Sequence, residues 1–424
     1  MAGFLYLGSI AKHAALPVAA HALPPTDDAS GMAIPPSRDR WYRAVDGLRP
    51  PQNGGLIKIR AAPGNLSSML RNLDWSDQIL YRTLDANGTS TWAVTTVLVP
   101  KTADPARPAV VSYQMSQDSA SLDASPSYLL STANENVRYD ILDRMLLKGW
   151  QVVVPDYEGS LAAFGAGKLA GHATLDSIRV VHSLADERYG MNKTKALYSA
   201  WGYSGGALAT AWAYKQWFGH ANELGDRLTS YVIGGLPADL LETLHSLDGT
   251  MGNGLAINAI SGLMSQYPQF NETIRSHAKT TGPLNITAFD RVKTQTFSES
   301  LIRYARHNIS DYFVGGLDAV VRELQKVGFD KEVSLLDLPE ALPRDLNKHA
   351  ILLYHALADE VAPIRPVDEL VRNWCNASHR IEFHRLQGGG HVQNGDRGIE
   401  SAIEWITERF RSGFETGAQG RIIP

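Results

Sequence analysis

Short apolar runs alternate with helical patterns along most of this chain. Continuous apolar runs are typical of strands whose two faces are both covered by helices. They predict strands over 91–100, 109–114, 150–156, 195–202, 230–235, 350–356 and 380–386, and helical spacing predicts helices over 134–148, 166–189, 206–218, 366–375 and 398–411. Alternating strands and helices predict an α/β fold with a mostly parallel, doubly wound sheet.

One segment, 236–348, breaks this rhythm. It has helical patterns at 240–247, 300–329 and 334–342 and no convincing strand run. A helical block between two sheet strands predicts a cap inserted into the sheet domain, although a separate helical domain without a role at a site stays open. We therefore divide the chain into a candidate signal peptide and lead-in (1–30), the first part of the core (31–235), a helical cap or lid (236–348), the second part of the core (349–411) and a tail (412–424).

Composition and charge exclude several classes of partner. The chain has 424 residues, of which 44% are hydrophobic and 20% charged, with a formal net charge of −4. These values suit one large α/β domain with an insertion. No dense Lys/Arg run indicates a nucleic-acid partner, and no apolar run reaches the roughly 18 residues of a membrane-spanning helix. We expect no stable membrane anchor, and the oligomeric state stays open.

The signals for secretion disagree. Residues 1–22 are mostly apolar and end in a small-x-small pattern, but Lys12 and His13 interrupt the apolar stretch. The single cysteine, Cys375, is unusual in a secreted chain. Seven Asn-x-Ser/Thr sequons exceed the chance expectation; they begin at Asn65, Asn87, Asn192, Asn271, Asn285, Asn308 and Asn376. We expect a secreted glycoprotein, with an intracellular location as the alternative.

The stretch 199–212 carries the strongest chemical signal. Ser204 lies in a G-x-S-x-G pattern between a predicted strand and a predicted helix. This context is typical of the nucleophile elbow of α/β-hydrolases, where glycines let the strand and helix approach closely. The helix N-terminus behind Ser204 also favours a developing oxyanion. A structural serine in a tight turn is the alternative.

A serine nucleophile needs a base and an acid that orients the base. In this fold the acid and then the histidine follow the serine, at the ends of late strands. Asp359 follows the strand at 350–356, and His391 lies in a glycine-rich, polar loop after the strand at 380–386. We predict Asp359 as the acid and His391 as the base. The rivals are Glu360, Asp396, His384 and His355, the last of which could shape the acid loop.

An oxyanion hole needs two donors in this fold. The N–H of Gly205, directly after Ser204, is the first. The second should come from the loop at 113–127, which lacks the HGGG pattern of many esterases. The residues alone therefore leave the second donor open.

Several stretches resemble the fungal secretory lipase family of the lipase A type, over nearly the whole chain. Besides GYSGGALATAW, they are YRTLDANG (81–88), VVSYQMSQDS (110–119), the segment 153–179, GGLPADL (234–240), NGLAINAISGL (253–263) and the segment 354–375. The resemblance implies an α/β-hydrolase fold with a cap, Ser204 as nucleophile, Asp359 as acid and His391 as base. It also implies that Asp118 supplies the second oxyanion N–H beside Gly205.

The family resemblance leaves the substrate open between two classes. Family members include triacylglycerol lipases and esterases that deacetylate secondary metabolites such as trichothecenes. We predict a serine carboxylester hydrolase that forms an acyl-Ser204 intermediate and uses no metal or organic cofactor. An acyltransferase with the same triad and a hydrolase-like binding protein are the alternatives. Residues near 255–270 are pocket candidates, whereas Trp212, Trp217 and Phe218 are expected in the core.

Overall fold

The computed structural model describes residues 31–43, 52–336 and 349–412, together with the backbone of a strand at 421–423. The candidate signal peptide and most of the predicted helix at 334–342 lie outside the described residues. All the candidate catalytic and oxyanion residues lie within them.

The described residues form one ten-stranded sheet, with strands β1–β10 numbered along the chain. The strands are Leu56–Ala61, Leu73–Leu84, Ser90–Pro100, Ala109–Gln114, Gln151–Pro155, Leu197–Tyr203, Leu228–Gly234, Ala350–Ala356, Arg380–Leu386 and Arg421–Ile423. Their order across the sheet is β1-β2-β3-β5-β4-β6-β7-β8-β9-β10. The first three strands pair antiparallel, as does β3 with β5, and all later pairings are parallel.

This sheet confirms the predicted fold class. All seven predicted strands are present, β3 to β9, and β4, β8 and β9 have the predicted bounds. The sequence patterns missed β1, β2 and β10. In β2 the polar residue Asp77 interrupts the apolar pattern, but it is buried in the structure because Arg188 binds its carboxylate at 2.9 Å. A long-range ion pair of this kind leaves no local signal in the sequence.

Helices cover both faces of the sheet and build the segment between β7 and β8. In chain order, helices α1–α13 are Pro126–Leu130, Tyr139–Leu147, Gly167–Ser183, Gly205–His220, Leu240–Leu247, Asn253–Gln266, Pro268–His277, Ile286–Asp290, Phe297–Tyr304, Gly316–Lys326, Phe329–Glu332, Ile364–Asn376 and His391–Ser412. Short 3-10 helices occupy Arg40–Tyr42, Leu66–Ser68, Leu122–Ala124, Gly159–Leu161, Asn222–Leu224, Arg291–Thr294 and Ile309–Tyr312. One face of the sheet packs against α3, α4 and α12, and the other packs against α2 and α13.

The strand side chains explain this layering. Along β8, Ile351 and Leu353 join the core on the α4 side, whereas Leu352 and Tyr354 join the core on the α13 side. Successive side chains of a strand point to opposite faces, so a continuous apolar run fills both cores. The carboxyl ends of β6, β8 and β9 consequently meet at one edge of the sheet, where β6 leads into Ser204.

Helix α13 begins earlier than the sequence pattern predicts. The predicted start is 398 with His391 in a loop, but the helix begins at His391 itself. The sequence pattern did not predict this start because Gly395 and Gly398 weaken the helical signal there. Both are required by packing: a Cβ on Gly398 would lie 2.2 Å from the Tyr354 ring, and one on Gly395 would lie 3.0 Å from the Tyr203 ring.

The segment between β7 and β8 has its own apolar core, built from α5–α11. Among its described residues, β structure is limited to the isolated bridges Asp239–Ser334 and Ala278–Phe313. The stretch predicted as helical over 300–329 is divided into α9, a 3-10 helix and α10; Arg306 and Gly315 adopt positive φ in the connections between them. In the part of the chain that the structure describes, no helix is long and apolar enough to cross a membrane.

Candidate active site

Ser204 lies on a sharp turn between β6 and α4. Its backbone has φ +55° and ψ −121°, a combination that L-residues rarely adopt. The turn requires glycines around it: a Cβ on Gly202 would lie 2.1 Å from the Gly206 carbonyl, and one on Gly206 would lie 1.9 Å from the Gln114 carbonyl. The glycines of this stretch therefore satisfy a packing demand that presents the Ser204 hydroxyl at the sheet edge.

His391 connects Ser204 with Asp359. Its Nε2 lies 2.8 Å from Ser204 Oγ, and its Nδ1 lies 3.0 and 2.8 Å from the two carboxylate oxygens of Asp359. Because a carboxylate only accepts, Nδ1–H donates to Asp359 and leaves Nε2 free to accept from the Ser204 hydroxyl. The structure thus brings the three predicted catalytic residues together in the order of proton transfer.

The Asp359 carboxylate is held as an anion by several donors, although its side chain is fully buried. Its Oδ1 accepts from the backbone N–H groups of Val361 at 3.0 Å and Ala362 at 2.8 Å. Burial alone would raise the pKa of Asp359. The hydrogen bond from His391, the charges of His391 and His355 and the Ala362 N–H outweigh burial and lower this pKa below its usual value.

His355 contacts the loop that carries Asp359. Its Nε2–H donates to the Ala362 carbonyl at 2.9 Å and lies 3.6 Å from Asp359 Oδ2. Burial lowers the pKa of His355, against the opposing charge of Asp359. His355 therefore positions the loop that carries Asp359 through the Ala362 carbonyl.

The other rival residues make different contacts. Glu360 Oε2 accepts from the backbone N–H of His391 at 2.9 Å. Asp396 pairs with Arg138 at 2.6 Å, and His384 pairs with Glu382 at 2.7 Å on β9. Of these rivals only Glu360 contacts His391, and it holds the backbone of that residue.

Tyr203 is a site residue that the sequence reasoning missed. Its hydroxyl donates to the His391 carbonyl, and its ring centroid lies 5.1 Å from that of His391. Ser116 in turn donates to the Tyr203 carbonyl at 2.6 Å. The only signal in the sequence is that Tyr203 directly precedes Ser204, which does not distinguish this contact from ordinary core packing.

Asp118 and Gly205 line the same cavity as Ser204. Asp118 has a positive φ of +51° and is buried. Its side chain lies so close to Gly205 that a Cβ on Gly205 would come within 1.9 Å of Asp118 Oδ1. The loop predicted to supply the second oxyanion donor therefore does lie beside the residue after the nucleophile.

The carboxyl groups of Asp118 and Glu158 differ from that of Asp359 because few hydrogen-bond donors surround them. No hydrogen-bond partner reaches Asp118 Oδ1, and none reaches either carboxyl oxygen of Glu158, which is 2% exposed. Burial raises the pKa of Asp118 to about 7, against the opposing charge of His391. Burial and then the charge of Asp118 raise the pKa of Glu158 well above its usual value.

A small apolar cavity opens beside Ser204. Its volume is about 30 Å³, and its walls come from the core and from α5 and α6, including Phe164, Leu208, Leu240, Leu244, Leu247, Leu255, Ala256, Ala259 and Val361. Asp118 and Gly205 also line it. The predicted pocket residues near 255–270 thus include three that face Ser204, at positions 255, 256 and 259. Tyr267 and Phe270 line a separate surface cavity instead.

The aromatic residues of α4 lie in the core, as expected. Trp212 and Trp217 are each 2% exposed, and Phe218 packs against the same core. Within the described residues, no group of three or more His, Cys, Asp or Glu side chains is arranged to hold a metal ion. What the site offers chemically is a hydroxyl, a base with an oriented acid, and a cavity lined by Gly205 and Asp118.

Comparison with known proteins identifies the family. The family model for secretory lipases matches residues 126–417. The chain is 36% identical to a trichothecene C-3 esterase of Fusarium sporotrichioides, over 93% of this chain and 88% of the esterase. It is 34% identical to Lipase 1 of Candida albicans, over 88% of this chain and 81% of the lipase.

The fold is shared with a solved lipase structure. The X-ray structure of Candida antarctica lipase A matches with a TM-score of 0.80 at 24% sequence identity, covering 92% of this chain and 90% of that one. The resemblance drawn from the sequence motifs is confirmed by the sequence matches. The chain belongs to the secretory lipase family of carboxylester hydrolases.

Proposed function

We propose that this carboxylester hydrolase cleaves esters of short acyl groups through an acyl-Ser204 intermediate. The observation that carries the proposal is the cavity of about 30 Å³ beside Ser204. Because one water molecule needs roughly 10–15 Å³ of such space, the cavity has room for an acetyl group. A long acyl chain would require several buried leucines to move.

The reaction follows from the contacts of Ser204. His391 Nε2 accepts the hydroxyl proton while Ser204 Oγ attacks the ester carbonyl carbon, and the carbonyl electron pair moves to oxygen. The anionic Asp359 stabilises the imidazolium that forms. Collapse of the oxyanion breaks the bond to the alcohol, and His391 returns the proton to the leaving oxygen. Water then attacks the acyl-Ser204 ester by the same route.

We place the oxyanion next to Gly205 and Asp118, which supply its two donors. The N–H of Gly205 lies at the N-terminus of α4, where the helix dipole favours negative charge. Asp118 supplies the second donor from the loop after β4. Donors placed before the reaction stabilise the oxyanion without having to reorganise.

The family relatives suggest two kinds of ester, and the cavity size supports one of them. One relative is a trichothecene C-3 esterase and others are lipases. A small acyl cavity favours the esterase type, in which the acyl group is short and the alcohol is bulky. We therefore infer that the preferred substrates are small-acyl esters of a large alcohol.

A chain-length series tests the proposal. p-Nitrophenyl acetate, butyrate, octanoate and palmitate are compared by kcat/KM, and we expect acetate to be the best substrate. Leu244→Ala should enlarge the cavity and move the optimum toward butyrate. A wild-type optimum at octanoate or palmitate would overturn the short-acyl proposal.

A matched variant controls for loss of packing. Leu317 is as buried as Leu244, at 2% exposed, and lies in the same cap core, but it does not line the cavity beside Ser204. Both Leu→Ala changes should destabilise the fold by about 2–5 kcal/mol. Only Leu244→Ala should change the acyl preference.

We also infer that the chain enters the secretory pathway and carries N-linked glycans, as membership of the secretory lipase family suggests. None of the seven sequon asparagines is buried: five are exposed and two, Asn271 and Asn285, are half-buried. Surface placement is what glycosylation requires. Digestion of the protein expressed in a fungal host with an endoglycosidase should reduce its apparent mass, and an unchanged mass would contradict the inference.

A further inference from the structure

The Asp118 carboxyl lies against Gly205, the residue that follows Ser204. Asp118 Oδ1 packs against the Cα of Gly205, and Asp118 lines the cavity with Ser204. The backbone N–H of Asp118, together with that of Ser119, faces the buried carboxyl of Glu158. The Asp118 carboxyl is therefore a candidate for contact with the oxyanion, because it packs against the residue that follows Ser204.

The charge of this carboxyl decides what it can do. An ionised carboxylate is an acceptor only and would repel an oxyanion in a buried site, where a water shell cannot screen the two charges. A neutral carboxylic acid carries one O–H donor. An ionised Asp118 would therefore destabilise the oxyanion, whereas a neutral Asp118 would stabilise it.

We propose that Asp118 enters the reaction as a neutral carboxylic acid whose O–H donates to the oxyanion, and that Glu158 is the positioning residue behind it. The Asp118 proton stays on its carboxyl throughout, so the electron and proton movements of the acyl-Ser204 route are unchanged. The carboxylic donor acts beside the Gly205 N–H. This inference rests on the proposed acyl-Ser204 route.

The surroundings of Asp118 suit a neutral acid. Its Oδ1 is buried without a partner, in contrast with the three donors around Asp359. The charged or titratable groups that face Asp118 are His391 across the site, and Glu158 and Tyr157 on its buried side. Asp156 acts on Glu158 in turn. Apart from His391, none of these neighbours carries a positive charge that would favour an ionised Asp118.

Glu158 holds the loop that carries Asp118. Burial and the Asp118 charge keep its pKa high, and the N–H groups of Asp118 and Ser119 act in the opposite direction. As a neutral group it offers acceptor oxygens to these N–H groups, although neither completes a hydrogen bond. Glu158 therefore lies behind the loop that carries Asp118, facing its backbone N–H groups.

Two substitutions at Asp118 test the donor. Asn keeps a neutral side chain with an N–H donor, whereas Ala removes the donor. Asp118→Ala should lower kcat for p-nitrophenyl acetate about 10²–10³-fold, and Asp118→Asn less than about tenfold. Asp118→Ala should weaken binding of a trifluoromethyl ketone, whose adduct carries an oxyanion, by a similar factor. An Asp118→Ala enzyme within about threefold of the wild type in both measurements would overturn the donor role.

The pH profile provides a readout that a purely structural role would not move. Because the pKa of Asp118 is raised to about 7, kcat/KM of the wild type should fall above about pH 7 as the acid ionises. Asp118→Asn cannot ionise and should abolish this fall. Asp156→Asn is the control, because Asp156 is buried with a pKa of about 7 but does not line the cavity. A fall that persists unchanged in Asp118→Asn would overturn the proposal.

The role of Glu158 is tested by comparing Glu158→Ala with the conservative variant Glu158→Gln. Glu158→Ala should lower kcat about tenfold, and Glu158→Gln, which keeps an acceptor oxygen, should restore most of the rate. Equal rates for Glu158→Ala and the wild type would remove Glu158 from the proposal. Ser204→Ala is measured alongside: an active Ser204→Ala enzyme refutes the acyl-Ser204 route, whereas an inactive one beside a fully active Asp118→Ala enzyme refutes only the role of Asp118.

Discussion

Two buried aspartates lie near Ser204 and His391, and they differ in the hydrogen-bond donors that surround them. Asp359 accepts from His391 and from two backbone N–H groups, and its pKa is lowered. Asp118 packs against glycine, its Oδ1 has no partner, and its pKa is raised to about 7. One residue type can serve as an anion and as a neutral acid within one site, depending on the donors around it.

The same substitution should therefore have unequal effects at the two positions. Asp359→Asn removes the anion that fixes the His391 tautomer, and we expect kcat to fall about 10⁴-fold. Asp118→Asn keeps a neutral donor and should cost less than about tenfold. Steady-state kinetics with p-nitrophenyl acetate near pH 6 measures both. Similar losses for the two variants would refute the contrast between the aspartates.

Gly205→Ala tests the geometry on the Asp118 side. The added Cβ would fall 1.9 Å from Asp118 Oδ1 and must displace the carboxyl, so we expect a loss in kcat of about 10²–10³-fold. Gly219, on the same helix, has nothing within 4 Å of a built Cβ and a permissive backbone. Gly219→Ala should leave kcat unchanged. A fully active Gly205→Ala enzyme would place the Asp118 carboxyl elsewhere.

Glu360 tests how firmly His391 must be held beside Asp359. Its carboxylate accepts from the His391 N–H, and a Cβ on Gly390 would lie 2.1 Å from Glu360 Oε2. Glu360→Ala leaves that N–H unpaired and should lower kcat about tenfold, because His391 loses its fixed position. Glu360→Gln keeps an acceptor oxygen and should stay near the wild-type rate. If both variants lose the rate equally, the charge and not the hydrogen bond is what matters.

The two aspartates should contribute to the pH dependence of stability with opposite signs, and thermal unfolding measures this. The folded-state pKa of Asp118 lies above its unfolded value, so this group binds an extra proton when folded and reduces stability as pH rises from about 4 to 7. Asp118→Asn should consequently raise the unfolding midpoint by several degrees at pH 8 and leave it unchanged at pH 4.

Asp359 should behave in the opposite way. Its lowered pKa contributes stability above its unfolded value, and this contribution is lost as pH falls through the folded-state pKa. Asp359→Asn should therefore lower the unfolding midpoint at pH 8. Shifts in the same direction for both variants would contradict the assigned charges.

Much of the site could be predicted from the sequence because it follows from local order along the chain. The G-x-S-x-G pattern between a strand and a helix identifies Ser204, and the ends of late strands identify Asp359 and His391. Parallel strands bring their carboxyl ends to one edge of the sheet, so these positions meet. The seven central strands were predicted for the same reason, since their apolar runs are continuous.

The remaining features depend on contacts between distant parts of the chain. The role of the Asp118 side chain could not be predicted because its charge depends on burial beside Gly205 and Glu158, which lie on other segments. The start of α13 at His391 was missed because Gly395 and Gly398 fit against tyrosines of β6 and β8. Sequence patterns carry no information on such tertiary contacts.

The most direct test of the account is to trap the intermediate. The enzyme is mixed with p-nitrophenyl acetate, quenched in acid within the first turnovers and digested, and its peptides are analysed by mass spectrometry. The account predicts an acetyl group on Ser204 in the wild type, a longer-lived acetyl group there in Asp359→Asn, and none in Ser204→Ala. Acetylation of another residue during turnover, or hydrolysis by Ser204→Ala at the wild-type rate, would contradict it.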